Sequence, residues 1–401
     1  MFCVYKEKKE LCTGCTSCVH ICPEKCINME LDENGFMYPV VNENDCSKCG
    51  LCLENCPENN HETLNWEHIP ETCFAAKHKG RRILMQSSSG GAFAAITQCF
   101  DDNVIVYGAC YDENMRVVHK GVVGKNKYKH FLKSKYVQSN LLDSFSEIKT
   151  LIKDGKEVVF SGTPCQIAGL KCYLGNVSQG LFCVEILCHG VASPSVFSDY
   201  IKYLEYSHKS KVANFIFRDK RRGRGMWREF LTTIEFENGK KICDRYDLYT
   251  LGYLSGLFAR ESCLTCPYTK SERVGDIVIG DYWGLEKYRP DFCSNSGVSL
   301  VIPITHAGRN LMEKISQYMQ ITETPISWAT AGNRVLSHPT KVHPIREHFY
   351  KLYQKYPIDK AMAECIHRPS LIQRMILILP INLRILLKKM RSCVKIHKIA
   401  R

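Results

Sequence analysis

The chain has 401 residues, of which 45% are hydrophobic and 24% are charged, and its formal net charge is +13. This composition excludes a collagen-like or wholly disordered chain, and the length indicates more than one domain. The positive charge is compatible with nucleic acid, with an acidic electron carrier or with a phosphate-bearing cofactor. Charge alone does not separate these partners.

The chain contains 23 cysteines, which is the unusual feature of its composition. Such a number is typical either of a secreted protein held by disulfides or of an intracellular metal protein, and the spacing of the cysteines decides between them. Residues 1–11 include several lysines but lack the apolar segment of a secretory signal. We therefore expect a cytoplasmic protein.

Two cysteine runs of identical spacing, CxxCxxCxxxCP, predict a two-cluster ferredoxin-like domain in residues 1–60. In bacterial-type ferredoxins the first three cysteines of a run bind one 4Fe-4S cluster, and the fourth binds the other cluster. The predicted ligand sets are therefore Cys12, Cys15, Cys18 and Cys56 for one cluster, and Cys46, Cys49, Cys52 and Cys22 for the other. Zinc sites also use CxxC pairs, but zinc explains neither the third cysteine interval nor the proline after each run.

The remainder of the chain alternates between strand and helix patterns. Residues 61–80 are predicted to be a linker, residues 81–365 a larger mixed-sheet α/β domain, and residues 366–401 a basic amphipathic tail. In chain order, the first predicted elements are an amphipathic helix over 141–152 and strands over 158–160 and 181–187. A helix capped by Ser193, with Pro194 in its first turn, follows. The later elements are a hairpin with a two-residue turn at Asn238-Gly239, a strand over 298–304 and a helix over 306–318. The predicted fold class is thus α+β and α/β, with a small ferredoxin-like domain before a mixed sheet.

Three predicted strands end in glycine, proline or cysteine within the segments 158–170, 184–194 and 276–284. Ligands of open α/β sheets bind beyond the carboxyl ends of the strands, so these ends are expected to meet at one site. Single cysteines follow the first two strands, and a CxxC pair precedes the third. These candidate ligands of a third 4Fe-4S cluster are Cys165, Cys188, Cys263 and Cys266. The alternative is that single buried cysteines pack as small hydrophobic residues.

A serine- and glycine-rich segment, SSSGG at 87–91, leads into the helical pattern of residues 92–100. Free amides at a helix N-terminus attract phosphate groups. An ordinary capped helix is the alternative interpretation of this segment.

Six motifs of the large domain occur in the same order in the family of the coenzyme F(420)-reducing hydrogenase beta subunit, which residues 80–305 resemble. They are SSSGG at 87–91, SKYVQS at 134–139, GTPCQ at 162–166, CHG at 188–190, FRDK at 217–220 and GDYWG at 280–284. The resemblance implies an FAD-binding α/β domain with its own 4Fe-4S cluster, and so it supports the third ligand set. The FAD contacts that it implies are Ser88, Ser89, Gly90, Gly91, Lys135, Thr163 and Gly280. A deazaflavin coenzyme is compatible with the family, but no motif in this chain indicates one.

His189 and Asp281 follow two of the predicted strands and are candidate catalytic residues that donate or orient protons. A histidine after a strand is more often structural. The predicted function is an iron–sulfur flavoprotein oxidoreductase that relays single electrons to FAD for two-electron chemistry on an unidentified organic substrate. The alternative is a non-catalytic electron-transfer subunit that feeds a partner enzyme. Expected partners are a soluble electron carrier such as ferredoxin, a redox partner subunit and a small-molecule substrate.

Two basic segments complete the sequence. Five of the seven residues over 218–224 are Lys or Arg, and we expect this segment to border a cofactor or substrate site rather than to bind nucleic acid. The apolar run in the tail over 370–401 is too short to span a bilayer. The tail is expected to pack on the protein or a partner, or to lie on an anionic surface at the inner face of a membrane.

Overall fold

The structure is a computed structural model that describes residues 9–64, 66–220 and 230–369. Its strands are β1 (Ile27–Leu31), β2 (Met37–Val41), β3 (Glu67–His68), β4 (Thr72–His78), β5 (Ile105–Tyr111), β6 (Val117–Val123), β7 (Val158–Gly162), β8 (Leu181–Ile186), β9 (Val212–Ile216), β10 (Thr232–Phe236), β11 (Lys241–Asp244), β12 (Glu272–Arg273), β13 (Ile277–Asp281), β14 (Ser299–Pro303) and β15 (Met319–Pro325). Its helices are α1 (Ser17–Ile21), α2 (Leu51–Glu54), α3 (Arg81–Gln86), α4 (Ala92–Gln98), α5 (Ser144–Lys153), α6 (Pro164–Leu174), α7 (Pro194–His208), α8 (Leu248–Leu254), α9 (His306–Ile315), α10 (Ile326–Gly332), α11 (Arg346–Tyr353) and α12 (Ile358–Cys365). The predicted fold class is confirmed, because a small ferredoxin-like region precedes a mixed α/β domain.

A sheet with the strand order β15-β4-β14-β13-β8-β7-β5-β6 forms the centre of the large domain. Strands β5, β7, β8 and β13 run parallel to one another, and the other neighbouring pairs are antiparallel. Strand β7 is buried at every residue, as expected where both faces of a parallel sheet are covered. The carboxyl ends of β7, β8 and β13 are therefore neighbours at one edge of the sheet, where the sequence predicts a site.

The ferredoxin-like region packs directly on the large domain. Strands β1 and β2 form an antiparallel hairpin whose turn lies against the start of α7, where the Ser193 hydroxyl donates to the Asn34 carbonyl oxygen at 2.7 Å. Gly35 in this turn has a φ of 75°, and a Cβ there would lie 2.3 Å from that of Ser195. Helix α1 packs against α6. The two parts of the chain thus share polar contacts and a packed surface.

Residues 61–80 differ from the predicted linker. They contain β4, which pairs with β14 on one side and β15 on the other. Cys73, Ala75 and Ala76 in this strand are fully buried. Small alanines carry little strand preference, and only the burial between two partners explains why this segment is a strand.

Several element predictions are confirmed, with changed ends. Helix α7 begins at Pro194, and the Ser193 hydroxyl accepts a hydrogen bond from the Val196 amide at 3.3 Å. Helix α5 begins three residues later than predicted, because the Asn140 side chain accepts the Leu142 amide at 2.9 Å and turns the chain there. Leu142 consequently has a φ of 48° and is exposed rather than part of the apolar face.

The predicted hairpin is present, but its turn is longer than the two residues expected. Strands β10 and β11 are antiparallel, with Glu235 opposite Lys241. Gly239 has a φ of 84°, whereas Asn238 keeps an ordinary negative φ. A two-residue type I′ turn requires both central residues to have positive φ, so the chain uses a longer turn with only the glycine in the left-handed region.

No helix in the described ranges is long and apolar enough to cross a membrane. Residues 221–229 and 370–401 lie outside the described residues. The predictions for the basic segment beyond Lys220 and for the tail therefore stay predictions.

Candidate iron–sulfur sites and cofactor cleft

The first predicted ligand set lines a cavity of about 350 Å³ in the ferredoxin-like region. Its cysteines are Cys12, Cys15, Cys18 and Cys56, three from the first run and one from the second. The loop turns tightly through Gly14 and Thr16, which both have φ values near 65–70°. Burial raises the pKa of the Cys15 and Cys18 thiols well above its ordinary value, and neighbouring cysteines raise it further. A bound metal centre must displace these protons.

The second predicted set lines a cavity of about 470 Å³. It consists of Cys46, Cys49, Cys52 and Cys22, so each run contributes one thiol to the cavity of the other. Cys49 is exposed, whereas Cys15 and Cys18 in the first cavity are buried. A fifth thiol, that of Cys26, also lines this cavity and lies 3.5 Å from the Cys22 sulfur. Spacing alone did not single out Cys26.

Among the described residues, no group of three or more His, Cys, Asp or Glu side chains is close enough to hold a single metal ion. The cysteines of each set instead surround a cavity. A cluster of four irons and four sulfides is larger than an ion and binds thiolates spread around it. The two cavities therefore fit cubane clusters.

The third predicted set comes together at the carboxyl edge of the sheet. Cys165 lies in the first turn of α6 after β7, Cys188 follows β8, and Cys263 and Cys266 lie in the loop before β12. Burial raises the pKa of Cys188 well above its ordinary value, and the three other thiols are close enough to raise it further. Gly190 has a φ of 89°, and a Cβ there would lie 3.3 Å from that of Cys263. A residue without a side chain is therefore needed at position 190 for the two loops to meet.

A cleft with about 1400 Å³ of free space, open to solvent, lies beside the third set, and Cys188 is part of its wall. The predicted site residues that line it are Ser88, Ser89, Gly91, Lys135, Thr163, Gly280, His189 and Asp281. Gly90 does not line the cleft. A Cβ on Gly90 would lie 2.2 Å from the Ala76 carbonyl oxygen, so this glycine allows the loop to pack against the sheet.

The serine hydroxyls of the SSSGG segment join separate loops around the cleft. Ser88 Oγ accepts the Ser134 amide at 2.8 Å, and Ser89 Oγ donates to the Val298 carbonyl at 2.9 Å. The buried Lys220 side chain donates to three carbonyl oxygens, those of Leu84, Ser89 and Ser296, at 2.5 to 2.8 Å. Lys220 was noted only as part of a motif, since its role depends on three loops that are distant in sequence.

Two nitrogen-bearing side chains, the partly buried Lys135 and the buried His119, give the cleft its polarity. Burial lowers the pKa of Lys135 to about 8, and its ammonium donates to the Leu132 carbonyl at 3.0 Å. His119 donates from Nε2 to the Ser161 carbonyl at 3.0 Å, which leaves Nδ1 buried and without a partner among the described residues. Burial lowers the pKa of His119 to about 4, so the ring is neutral near pH 7. His119 was not predicted, because it lies inside β6 rather than at a strand end.

The candidate catalytic residues His189 and Asp281 border both this cleft and a second one of about 1020 Å³. Asp281 pairs with the buried Arg218, while its Oδ1 atom has no partner in the described part of the chain. Surrounding protein desolvates the His189 ring and lowers its pKa. Tyr136 and Tyr253, whose rings stack at 4.3 Å, stand between the two clefts.

The cleft carries polar and cationic groups suited to the implied FAD. Its wall offers an unpartnered acceptor at His119, a cationic Lys135 and a glycine at position 280 that brings the chain close to Leu187. These features fit a large ligand that has both a ring system and anionic groups.

Comparisons with known proteins identify two matching regions in the chain. Residues 155–328 match the family of the carboxyl-terminal region of the coenzyme F(420) hydrogenase/dehydrogenase beta subunit, and residues 11–60 match the 4Fe-4S dicluster domain. A 51-residue segment is 35% identical to ketoisovalerate oxidoreductase subunit VorC of Methanothermobacter marburgensis, and covers 12% of this chain and 65% of that protein. A 49-residue segment is 39% identical to pyruvate synthase subunit PorD of the same organism, and covers 12% and 51%. The chain therefore spans less than two thirds of either relative.

A solved structure of the F(420)-reducing nickel–iron hydrogenase complex of Methanosarcina barkeri, derivatised with xenon, is also similar. The TM-score is 0.45 at 17% identity, and the match covers 74% of this chain and 92% of that chain.

The two matched regions define an iron–sulfur electron-transfer chain that is related to subunits of oxidoreductases. Over residues 155–328 the chain resembles the coenzyme F(420) hydrogenase/dehydrogenase beta-subunit family, and over residues 11–60 it matches a 4Fe-4S dicluster domain. The family resemblance seen in the sequence is thereby confirmed. FAD is named by none of these relatives and stays a prediction.

Proposed function

We propose that this chain is an iron–sulfur flavoprotein oxidoreductase that transfers electrons between a one-electron partner and a two-electron organic substrate. One observation carries the proposal: Cys188 belongs to the third thiol set and also forms part of the cleft wall. A metal centre held by that set is therefore adjacent to any ligand of the cleft. When bound, the clusters supply one-electron exchange and FAD links it to two-electron chemistry.

The protein residues connect the first thiol set to the third through α6. This helix carries Cys165 in its first turn and Gly169 one turn later. A Cβ at Gly169 would lie 2.8 Å from both the Cβ and the Sγ of Cys15, so α6 contacts a member of the first set directly. The second set lies farther out, with the exposed Cys49. This order supports entry or exit of electrons at the second set and exchange with the large domain at the first.

In the cleft, Lys135 and the backbone amides after Ser88 are the groups that would hold the phosphates of FAD. His189 and Asp281 lie where the two clefts join, within reach of compounds bound in either. Desolvation lowers the pKa of His189, which favours the neutral form of the ring that can accept a proton. We assign to this pair the handling of protons that accompany two-electron chemistry.

Quantitation of iron, sulfide and flavin in anaerobically purified protein tests the proposal. We expect about twelve irons, four for each of three clusters, and one FAD per chain. Cys165→Ala is expected to lose about four irons. Cys172→Ala, on the same helix and near Cys56 but outside the three sets, is the matched control and is expected to lose none. Wild-type protein with eight irons and no flavin would contradict the proposal.

A second candidate is an electron-transfer subunit without a substrate of its own. It is favoured by the relatives VorC and PorD, which are both named as subunits of larger enzymes. The purified chain distinguishes the two. Reduction of its flavin by a small organic compound or a deazaflavin, followed by release of electrons to a one-electron dye, supports the enzyme. Exchange with a ferredoxin-like carrier alone supports the subunit.

A further inference from the structure

Arg260 connects the third thiol set to the first. Its main chain is hydrogen-bonded to the loops that carry the third set. The Arg260 amide donates to the Val191 carbonyl at 2.9 Å, three residues after Cys188. The Arg260 carbonyl accepts the Cys263 amide at 3.0 Å. The backbone of this residue therefore joins the two loops that carry Cys188 and Cys263.

The side chain of Arg260 extends in the other direction, into the loop of the first set. Its Nε donates to the Cys12 carbonyl at 2.9 Å, and Nη1 donates to Gln138 Oε1 at 3.0 Å. Gln138 in turn donates from Nε2 to the Thr13 carbonyl at 3.1 Å. The guanidinium also lies 4.1 Å from the centre of the Tyr38 ring. Carbonyls and a ring orient this cation, but none of these groups carries a negative charge.

Among the described residues, the guanidinium is therefore a buried charge without a formal counter-charge in contact with it. Arg260 is 0% exposed, and its Nη2 atom has no hydrogen-bond partner within residues 9–64, 66–220 and 230–369. The nearby acid Glu58 accepts from Tyr268 at 2.8 Å instead. Burial of a cation without a negative partner is strongly unfavourable. A negatively charged group must compensate it in the loaded protein.

We propose that Arg260 is a positioning residue that places one fixed positive charge between the first and third clusters and raises the reduction potentials of both. The inference rests on the proposed function, since it requires clusters at both thiol sets. Reduction adds a negative charge to a cluster, and net charge together with hydrogen bonds near the cluster sulfurs sets the potential. A cation held by both loops favours the reduced state of each centre.

Arg260 is close enough to Cys12, Cys165 and Cys263 to act on the charge of each. A second arginine, Arg346, lies near Cys263 in the third set. The Arg346 side chain is also buried and donates to the Ala259 carbonyl at 2.9 Å. It is therefore a matched control for removal of a buried arginine.

Redox titration of anaerobic full-length protein, followed by electron paramagnetic resonance, tests the inference. Arg260→Gln removes the charge and keeps a donor, and we expect the equilibrium constant for electron uptake to fall at least tenfold at both centres, which is about 59 mV for a one-electron couple. Arg260→Lys keeps the charge, and its potentials are expected to stay near those of the wild type. Arg346→Gln is expected to shift the third centre and leave the first unchanged.

The possible outcomes distinguish a failure of the proposed role of Arg260 from a failure of the proposed function. Equal shifts in Arg260→Gln and Arg260→Lys, or no shift in Arg260→Gln with full iron content, would overturn the role of Arg260 and leave the proposed function intact. A wild type that contains eight irons would instead remove the proposed function. If Arg260→Gln does not accumulate, Arg260→Met is used instead, because the straight side chain of methionine fits the space of the arginine side chain without a charge.

Discussion

Substitution of Gly169 by alanine tests whether the ferredoxin-like region is seated on α6 as closely as the structure indicates. Alanine in place of an unobstructed helical glycine stabilises a protein by about 1 kcal/mol. Here the new Cβ would lie 2.8 Å from Cβ and Sγ of Cys15. Favourable carbon contacts begin near 3.5 Å, so α6 and the Cys15 loop must separate by about 0.7 Å. Overpacking of this kind costs about 1–3 kcal/mol.

The expected balance is a loss of up to about 2 kcal/mol in the free energy of unfolding, from the overpacking cost less the helical gain. The assay is anaerobic urea unfolding, monitored by helical circular dichroism and by the absorbance of the clusters. We expect the cluster signal to be lost at lower urea than in the wild type, because Cys15 is the residue displaced. Stabilisation by about 1 kcal/mol, as for an unobstructed helical position, would refute the close contact.

Further predictions concern charge and protons. Lys220→Met is expected to release flavin, because three loop carbonyls lose their donor, and fluorescence of the released flavin measures this. Burial, assisted by the charges of Arg218 and Lys133, lowers the pKa of Lys220 from 10.5 to about 7. Between these two pH values the unfolded chain binds more protons than the folded chain. The free energy of unfolding of the wild type should therefore rise with pH over this range, relative to that of Lys220→Met. His119→Phe is expected to weaken flavin binding about tenfold, through loss of one hydrogen bond of about 1–1.5 kcal/mol. Reconstitution with iron and sulfide should release protons and proceed further at pH 8.5 than at pH 7, because burial raises the pKa of Cys56 to about 11.

Each of these has a contrary result. Wild-type and Lys220→Met stability curves that stay parallel between pH 7 and 10 would show that the three carbonyls keep Lys220 charged. An unchanged affinity of His119→Phe for flavin would show that Nδ1 of His119 does not bind it. Reconstitution without pH dependence would mean that the thiols are already ionised before iron binds.

Local patterns were the most predictable part of this protein. The duplicated cysteine run carries its ligand spacing within a few residues, and the cap at Ser193 needs only its own helix. The third thiol set could be predicted from the sequence because parallel strands present their carboxyl ends at the same edge of a sheet, whatever the order of the strands. Each of these predictions depends on short-range geometry or on a general rule of topology.

Other features depend on partners that are distant in sequence. Strand β4 appeared to be a linker because both of its pairing partners, β14 and β15, lie more than 200 residues away in sequence. Arg260 gave no signal, since its significance requires Cys12 across the interface with the ferredoxin-like region and Gln138 on a distant loop of the large domain. Gly90 belongs to a motif, yet it packs against the sheet and not the cleft. A motif identifies a neighbourhood, but the direction in which each residue points comes from packing.

The exchange of Cys22 and Cys56 between the two runs ties the halves of the ferredoxin-like region together. Each cavity takes one of its thiols from the other run, so damage at the solvent-facing centre also disturbs the sequence segment that serves the interior one. We expect the pair to assemble and decay as one unit, and a half-loaded chain to be short-lived.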